Sequence, residues 1–69
     1  MATGYRFDEF TPSVGSEVSA FRDLNSLKNF VSGQSGSSKY WEITGEIIKD
    51  EGGPDGLTIR VSSYREIRI

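Results

Sequence analysis

The chain has 69 residues, no Cys, no His, two Pro, eight Gly and a formal net charge of −2. That length makes a single domain, 1–69, in which apolar burial barely exceeds the entropic cost of ordering. The missing thiols and imidazoles exclude disulfides, zinc sites of the usual ligand type, thiol nucleophiles and imidazole bases. No apolar run approaches the roughly 18 residues of a membrane span, and no signal-type segment follows Met1, so a soluble cytoplasmic protein is expected.

The charge is unevenly placed. Residues 1–55 hold nine carboxylates against five basic groups, whereas 56–69 hold Arg60, Arg65 and Arg68 against Glu66 alone. A globally basic nucleic-acid binder is disfavoured, because neutralising phosphates needs a positive footprint. An acidic face fits solubility first and a basic partner surface second.

In chain order, Tyr5-Arg6-Phe7-Asp8-Glu9-Phe10 has the aromatic content of a short strand, with Tyr5 and Phe7 on one side. Pro12 ends it, since it restricts Thr11 to extended geometry and donates nothing to a ladder. Next, Ala20, Leu24, Leu27 and Val31 form a helical stripe, with Asp23 or Asn25 as N-cap and Gly33 as the stop. A helix is expected over 25–32. Residues 16–24 fit either its extension, which Ser16 and Glu17 in a first turn favour, or a strand, since Glu17 to Asp23 also alternates. Residues 33–38, GQSGSS, read as a polar linker.

The strongest pattern is the last. Over 39–49 and 57–69, Trp41, Ile43, Ile47, Leu57, Ile59, Val61, Ile67 and Ile69 alternate with polar residues, as in a hairpin with one face on a core. Asp50-Glu51-Gly52-Gly53-Pro54-Asp55-Gly56 supplies its turn. Pairing Lys49 with Leu57 sets Glu46 against Arg60, Glu42 against Tyr64 and Trp41 against Arg65. Gly45 is a candidate bulge or close backbone approach, and Ser62-Ser63 a candidate bend. The expected fold is therefore α+β: a small antiparallel sheet, the hairpin 39–49/57–69 plus an N-terminal strand, packed on one helix.

Chemistry-bearing patterns are sparse. The turn lacks the Gly-Lys-Ser/Thr ending of a P-loop and precedes a strand rather than a helix. Asp50, Glu51 and Asp55 do not have EF-hand spacing, so no metal is expected. Glu42 and Glu46 lie about 13 Å apart along a strand, beyond either glycosidase separation. No nucleophile–base pair is identifiable, so no catalytic residue and no cofactor are expected. Trp41 belongs to the apolar face, whereas Tyr40 and Tyr64 face the other way and are surface-contact candidates.

Two resemblances add expectations. SAFRDLNSLKNFVSG followed by SSKYWEITGEI looks like a strand–helix–strand unit of toxin-type ADP-ribosyltransferases, covering about half the chain. It implies, as an alternative, a fragment or degenerate form of such an enzyme. A small, acidic, Cys- and His-free α+β chain also resembles, as a class, the phage-borne anti-CRISPR inhibitors of bacterial defence. The residues that carry this are Asp8, Glu9, Glu17, Asp23, Asp50, Glu51 and Asp55. That resemblance implies carboxylates standing in for phosphates on a basic nucleic-acid channel. The expectation is a non-enzymatic inhibitor, a monomer or weak dimer. It would contact the basic surface of a nucleic-acid-binding complex through those carboxylates with Tyr40 and Tyr64, without binding nucleic acid or membrane itself. A ligand-free accessory domain is the bland alternative.

Overall fold

A computed structural model of the chain describes residues 1–32 and 39–68. It contains β1 (Ala2–Asp8), β2 (Glu17–Ala20), α1 (Leu24–Val31), β3 (Lys39–Asp50) and β4 (Leu57–Ile67). The strands lie in the order β1-β3-β4-β2 with every neighbouring pair antiparallel. The linker 33–38 and Ile69 lie outside the described residues.

The sheet curls until its two edge strands meet. Tyr5 and Phe21 exchange both backbone hydrogen bonds, Tyr5 N–H to the Phe21 carbonyl at 2.9 Å and Phe21 N–H to the Tyr5 carbonyl at 2.6 Å. Beside this bridge the ladder stops, and the Arg6 side chain crosses the gap instead, Nη1 donating to the Ser19 carbonyl at 2.9 Å. The inside of the curl holds the main core of Ala20, Trp41, Ile43, Leu57, Ile59 and Val61, with Val18 packed at its margin. Fully burying an aliphatic side chain of this kind stabilises by about 1.5–3 kcal/mol, and Ile43 and Ile59 have no exposed surface. Gly4, opposite Ile43, lines the same interior. A Cβ there would lie 2.6 Å from Ile59 Cδ1 and 2.8 Å from Ala20 Cβ. The curl is that tight.

The hairpin keeps the expected partners only in its middle. Glu46 faces Arg60 and Ile47 faces Ile59. Two register shifts displace everything else by one residue: one between Ile47 and Lys49, the other between Thr44 and Gly45. Lys49 therefore faces Thr58, Glu42 faces Arg65, and Trp41 faces Glu66. The second shift falls where Gly45 and Ser62 were candidates for irregularity. There the backbones approach so closely that a Gly45 Cβ would lie 1.9 Å from the Arg60 carbonyl oxygen.

A bulge reverses which face the following residues occupy. Tyr64 is thereby brought opposite Ile43, on the Trp41 side of the sheet, and its ring meets the indole edge-on at 5.6 Å. The expectation that Tyr64 faces away from Trp41 is corrected by that extra residue. Ile67 moves in the opposite sense, pairing with Tyr40 on the other face. Ile47 keeps its register but is 45% exposed, because β1 pairs with β3 only as far as Gly45.

Residues 17–20 form a strand rather than a helical extension. Glu17-Val18-Ser19-Ala20 pairs with Leu57–Arg60, and this ladder overrides the helical spacing of Ala20 with Leu24. Asp23 then starts α1. Its backbone is extended, with φ −146° and ψ 165°, and its carboxylate accepts the Ser26 N–H at 2.8 Å. Leu27 is completely buried beneath the helix, outside the main core cluster, and Phe30 meets Phe7 and Phe21 at ring distances of 6.3 and 5.2 Å. The helix thus covers the flank of β1 beside the closing bridge.

Candidate functional site

The site is built where the β3–β4 turn folds over the junction of β2 and α1. Gly52 and Gly53, with φ of 80° and 78°, let the turn double back in a conformation that side chains resist. The Arg22 backbone N–H then donates to the Pro54 carbonyl at 2.9 Å. Its guanidinium donates to the Gly53 carbonyl at 3.0 Å and to both carboxylate oxygens of Asp50, at 2.6 and 3.1 Å. A planar guanidinium fits this fork because two parallel bonds share one carboxylate. Arg22, together with the Gly52 N–H, holds the Asp50 carboxyl down to about 2. The Asp50 carboxylate in turn raises Arg22.

This clamp leaves an open groove between the turn and α1. It has a volume of about 450 Å³ and is lined by Phe21, Ser26, Asn29, Phe30, Pro54 and Asp55. Phe21, Phe30 and Asp55 also border a smaller hollow of about 230 Å³ that extends to Arg6. Phe30 is 49% exposed. Behind it the rings run on from Phe7 to Tyr40, 5.3 Å apart, so the groove floor is backed by packed aromatics.

The expected contact residues separate into groups. Asp23, Asp50, Glu51 and Asp55 belong to this turn-and-helix end. Asp23 is occupied as the cap, and the Ser26 N–H holds its carboxyl below the usual range. Asp50 is held by Arg22, and Glu51 lies 3.7 Å from Lys49. Asp55 makes no ion pair among the described residues. Glu17 sits elsewhere, on the outer sheet face, where Arg60 bridges it to Glu46 at 3.2 Å on each side. Asp8 ends β1, paired with Arg6 at 2.8 Å and lowered chiefly by the Phe10 N–H. Its carbonyl accepts the Trp41 indole N–H at 3.0 Å. Glu9 is exposed and unpaired among the described residues. Tyr40 is partly buried in the aromatic run, while Tyr64 covers Trp41 away from the groove.

Most carboxylates are therefore bound to the protein itself. The outer sheet face neutralises its own charges, since Arg65 also forks onto Glu42 at 2.8 and 3.3 Å and lowers it. Among the described residues, no group of three metal-ligating side chains converges, and no helix is long and apolar enough to cross a membrane.

Three site residues were not singled out from the sequence. Arg22 acts on Asp50 across 28 positions, and no local pattern announces such a pair. Phe30 did carry a signal, because it follows Leu27 by three positions and widens the helical stripe at its edge, where a large ring is only half covered. Within SAFRDLNSLKNFVSG, Ser19 and Ala20 end β2 and Leu24–Val31 form α1, but β2 and β3 are not neighbours, since β4 lies between them. No known protein family, no curated protein and no solved structure matches the chain.

Proposed function

We propose that the chain is a non-enzymatic binding protein: an inhibitor that docks on the basic surface of a nucleic-acid-handling complex, of the kind that serves bacterial defence. The observation that carries this reading is the composition of the turn-and-helix end. Asp23, Asp50, Glu51 and Asp55 stand there against Arg22 and Lys49, beside the half-exposed Phe30. Elsewhere the acidic side chains are largely matched by arginines. The contact is accordingly a compact acidic rim around an aromatic anchor, rather than a long row of phosphate substitutes. A rim of charge steers and orients a partner, and a buried aromatic holds it.

The test is capture of partners from a bacterial lysate on immobilised protein, across a salt series and with competing duplex DNA or RNA. The expected partner binds nucleic acid, is displaced by it, and is released as salt rises. Capture should weaken in E51Q/D55N, a pair that leaves the Arg22–Asp50 clamp in place. Capture that ignores salt, nucleic acid and these substitutions refutes the reading.

A further inference from the structure

We infer that the groove between α1 and the β3–β4 turn receives one cationic side chain, an arginine guanidinium supplied by the partner. The inference rests on the binding reading above and names what that end of the molecule grips. Asp55 supplies the first argument. The neighbouring guanidinium of Arg22 is spent on Asp50 and the Gly53 carbonyl, and that of Arg6 on Asp8 and Ser19. Among the described residues, neither cation near the groove reaches the Asp55 carboxylate, which keeps its acceptor sites open at the groove edge.

The walls supply the second argument. Phe21 and Phe30 stand 5.2 Å apart with their planes tilted by 42°, so the groove presents aromatic rings beside a carboxylate. A flat, weakly hydrated cation satisfies both at once, stacking on a ring while donating two bonds to Asp55. An apolar side chain would cover Asp55 without pairing it, and an anion would meet the Asp55 carboxylate; each loses free energy there. Lysine offers a compact, strongly hydrated charge and no planar fork, so it is the weaker occupant.

The probe is a short end-blocked peptide with one arginine, compared with the same peptide carrying citrulline, which keeps the shape and removes the charge. Amide spectra of the whole chain are followed during titration. The arginine peptide should bind with a Kd on the order of millimolar, shifting the Ser26, Asn29 and Asp55 signals saturably. Citrulline should produce no saturable shift, and D55N or Phe30→Leu should weaken arginine binding by about fivefold. Each variant should keep the native spectrum away from the groove. Equal binding of citrulline, an unaffected D55N, or no saturable shift with arginine overturns the inference. The two proposals fail separately. A salt-sensitive partner captured equally well by D55N and Phe30→Leu removes the arginine site alone, whereas arginine-specific shifts with no basic partner in the lysate remove the inhibitor reading alone.

Discussion

Gly4→Ala probes the closure of the sheet with a single carbon. The new Cβ would enter a space bounded by Ile59 Cδ1 at 2.6 Å and Ala20 Cβ at 2.8 Å, both shorter than carbon atoms tolerate. Overpacking of this size costs about 1–3 kcal/mol. Against it, replacing glycine restricts the unfolded chain and stabilises by about 0.4–1 kcal/mol. The net expectation is a destabilisation of about 0.5–2 kcal/mol, which in so small a domain lowers Tm by about 4–8 °C per kcal/mol. Ile59→Val removes the nearer obstructing atom and alone costs about 0.5–1.5 kcal/mol. In the double variant that deletion relieves much of the crowding. The two changes should therefore couple favourably, by about 1 kcal/mol, rather than add. Urea unfolding followed by the fluorescence of Trp41, the sole tryptophan and 4% exposed, measures all four corners of the cycle. A G4A protein as stable as the parent, or strict additivity with I59V, would refute the tight interior.

Two further outcomes follow from the surface charges. Asp8, Asp23, Glu42 and Asp50 all have folded values below their ordinary range, Asp50 at about 2. The unfolded chain therefore binds more protons in acid, so the stability these groups confer is complete above their unfolded values and is lost as pH falls through the folded ones. The urea midpoint should be level above about pH 5 and decline toward pH 2, with a shallower decline in Arg22→Gln; an unchanged slope in that variant would remove Arg22 as the cause. On the outer face, reversing Arg60 alone should destabilise through two carboxylates, because it bridges Glu17 and Glu46. The swap E46R/R60E should recover only part of that loss, each step being below about 1 kcal/mol for such exposed groups; full recovery in a double-mutant cycle would mean Glu17 is not a partner.

Alternation made the hairpin legible because a half-buried strand must repeat every two residues, and Leu57, Ile59 and Val61 obey it without interruption. Beyond Val61 the same rule misplaced Tyr64 and Ile67. One extra backbone residue leaves no trace in side-chain composition, yet it exchanges the faces of everything after it. Gly45 and Ser62 did mark the position, since small residues are what close strand backbones require. Glu17–Ala20 was ambiguous for a different reason. Four residues carry too little periodicity to decide, and the decision came from β4, whose partners lie 37 to 43 residues downstream. The acidic character of the turn was visible in the sequence, but its exposed remainder was not. Which carboxylates stay unpaired depends on Arg22, whose partner is fixed only once the sheet has curled.

The single Tyr5–Phe21 bridge gives this sheet a narrow joint as well as a shape. The β3–β4 hairpin is local and can form within microseconds, as hairpins do. β1 must then find β3 across the intervening helix and linker, and the ring closes only when β1 also meets β2. The β1–β3 and β2–β4 pairings, between residues 31 to 43 apart, are slow because loop entropy is lost before any contact rewards it, whereas Tyr5 and Phe21 are 16 apart. The bridge rests on two backbone hydrogen bonds alone, so the amide protons of Tyr5 and Phe21 should exchange together whenever the ring opens there. Phe21 also walls the groove, so the rate at which the ring breathes sets how long that wall stands undisturbed.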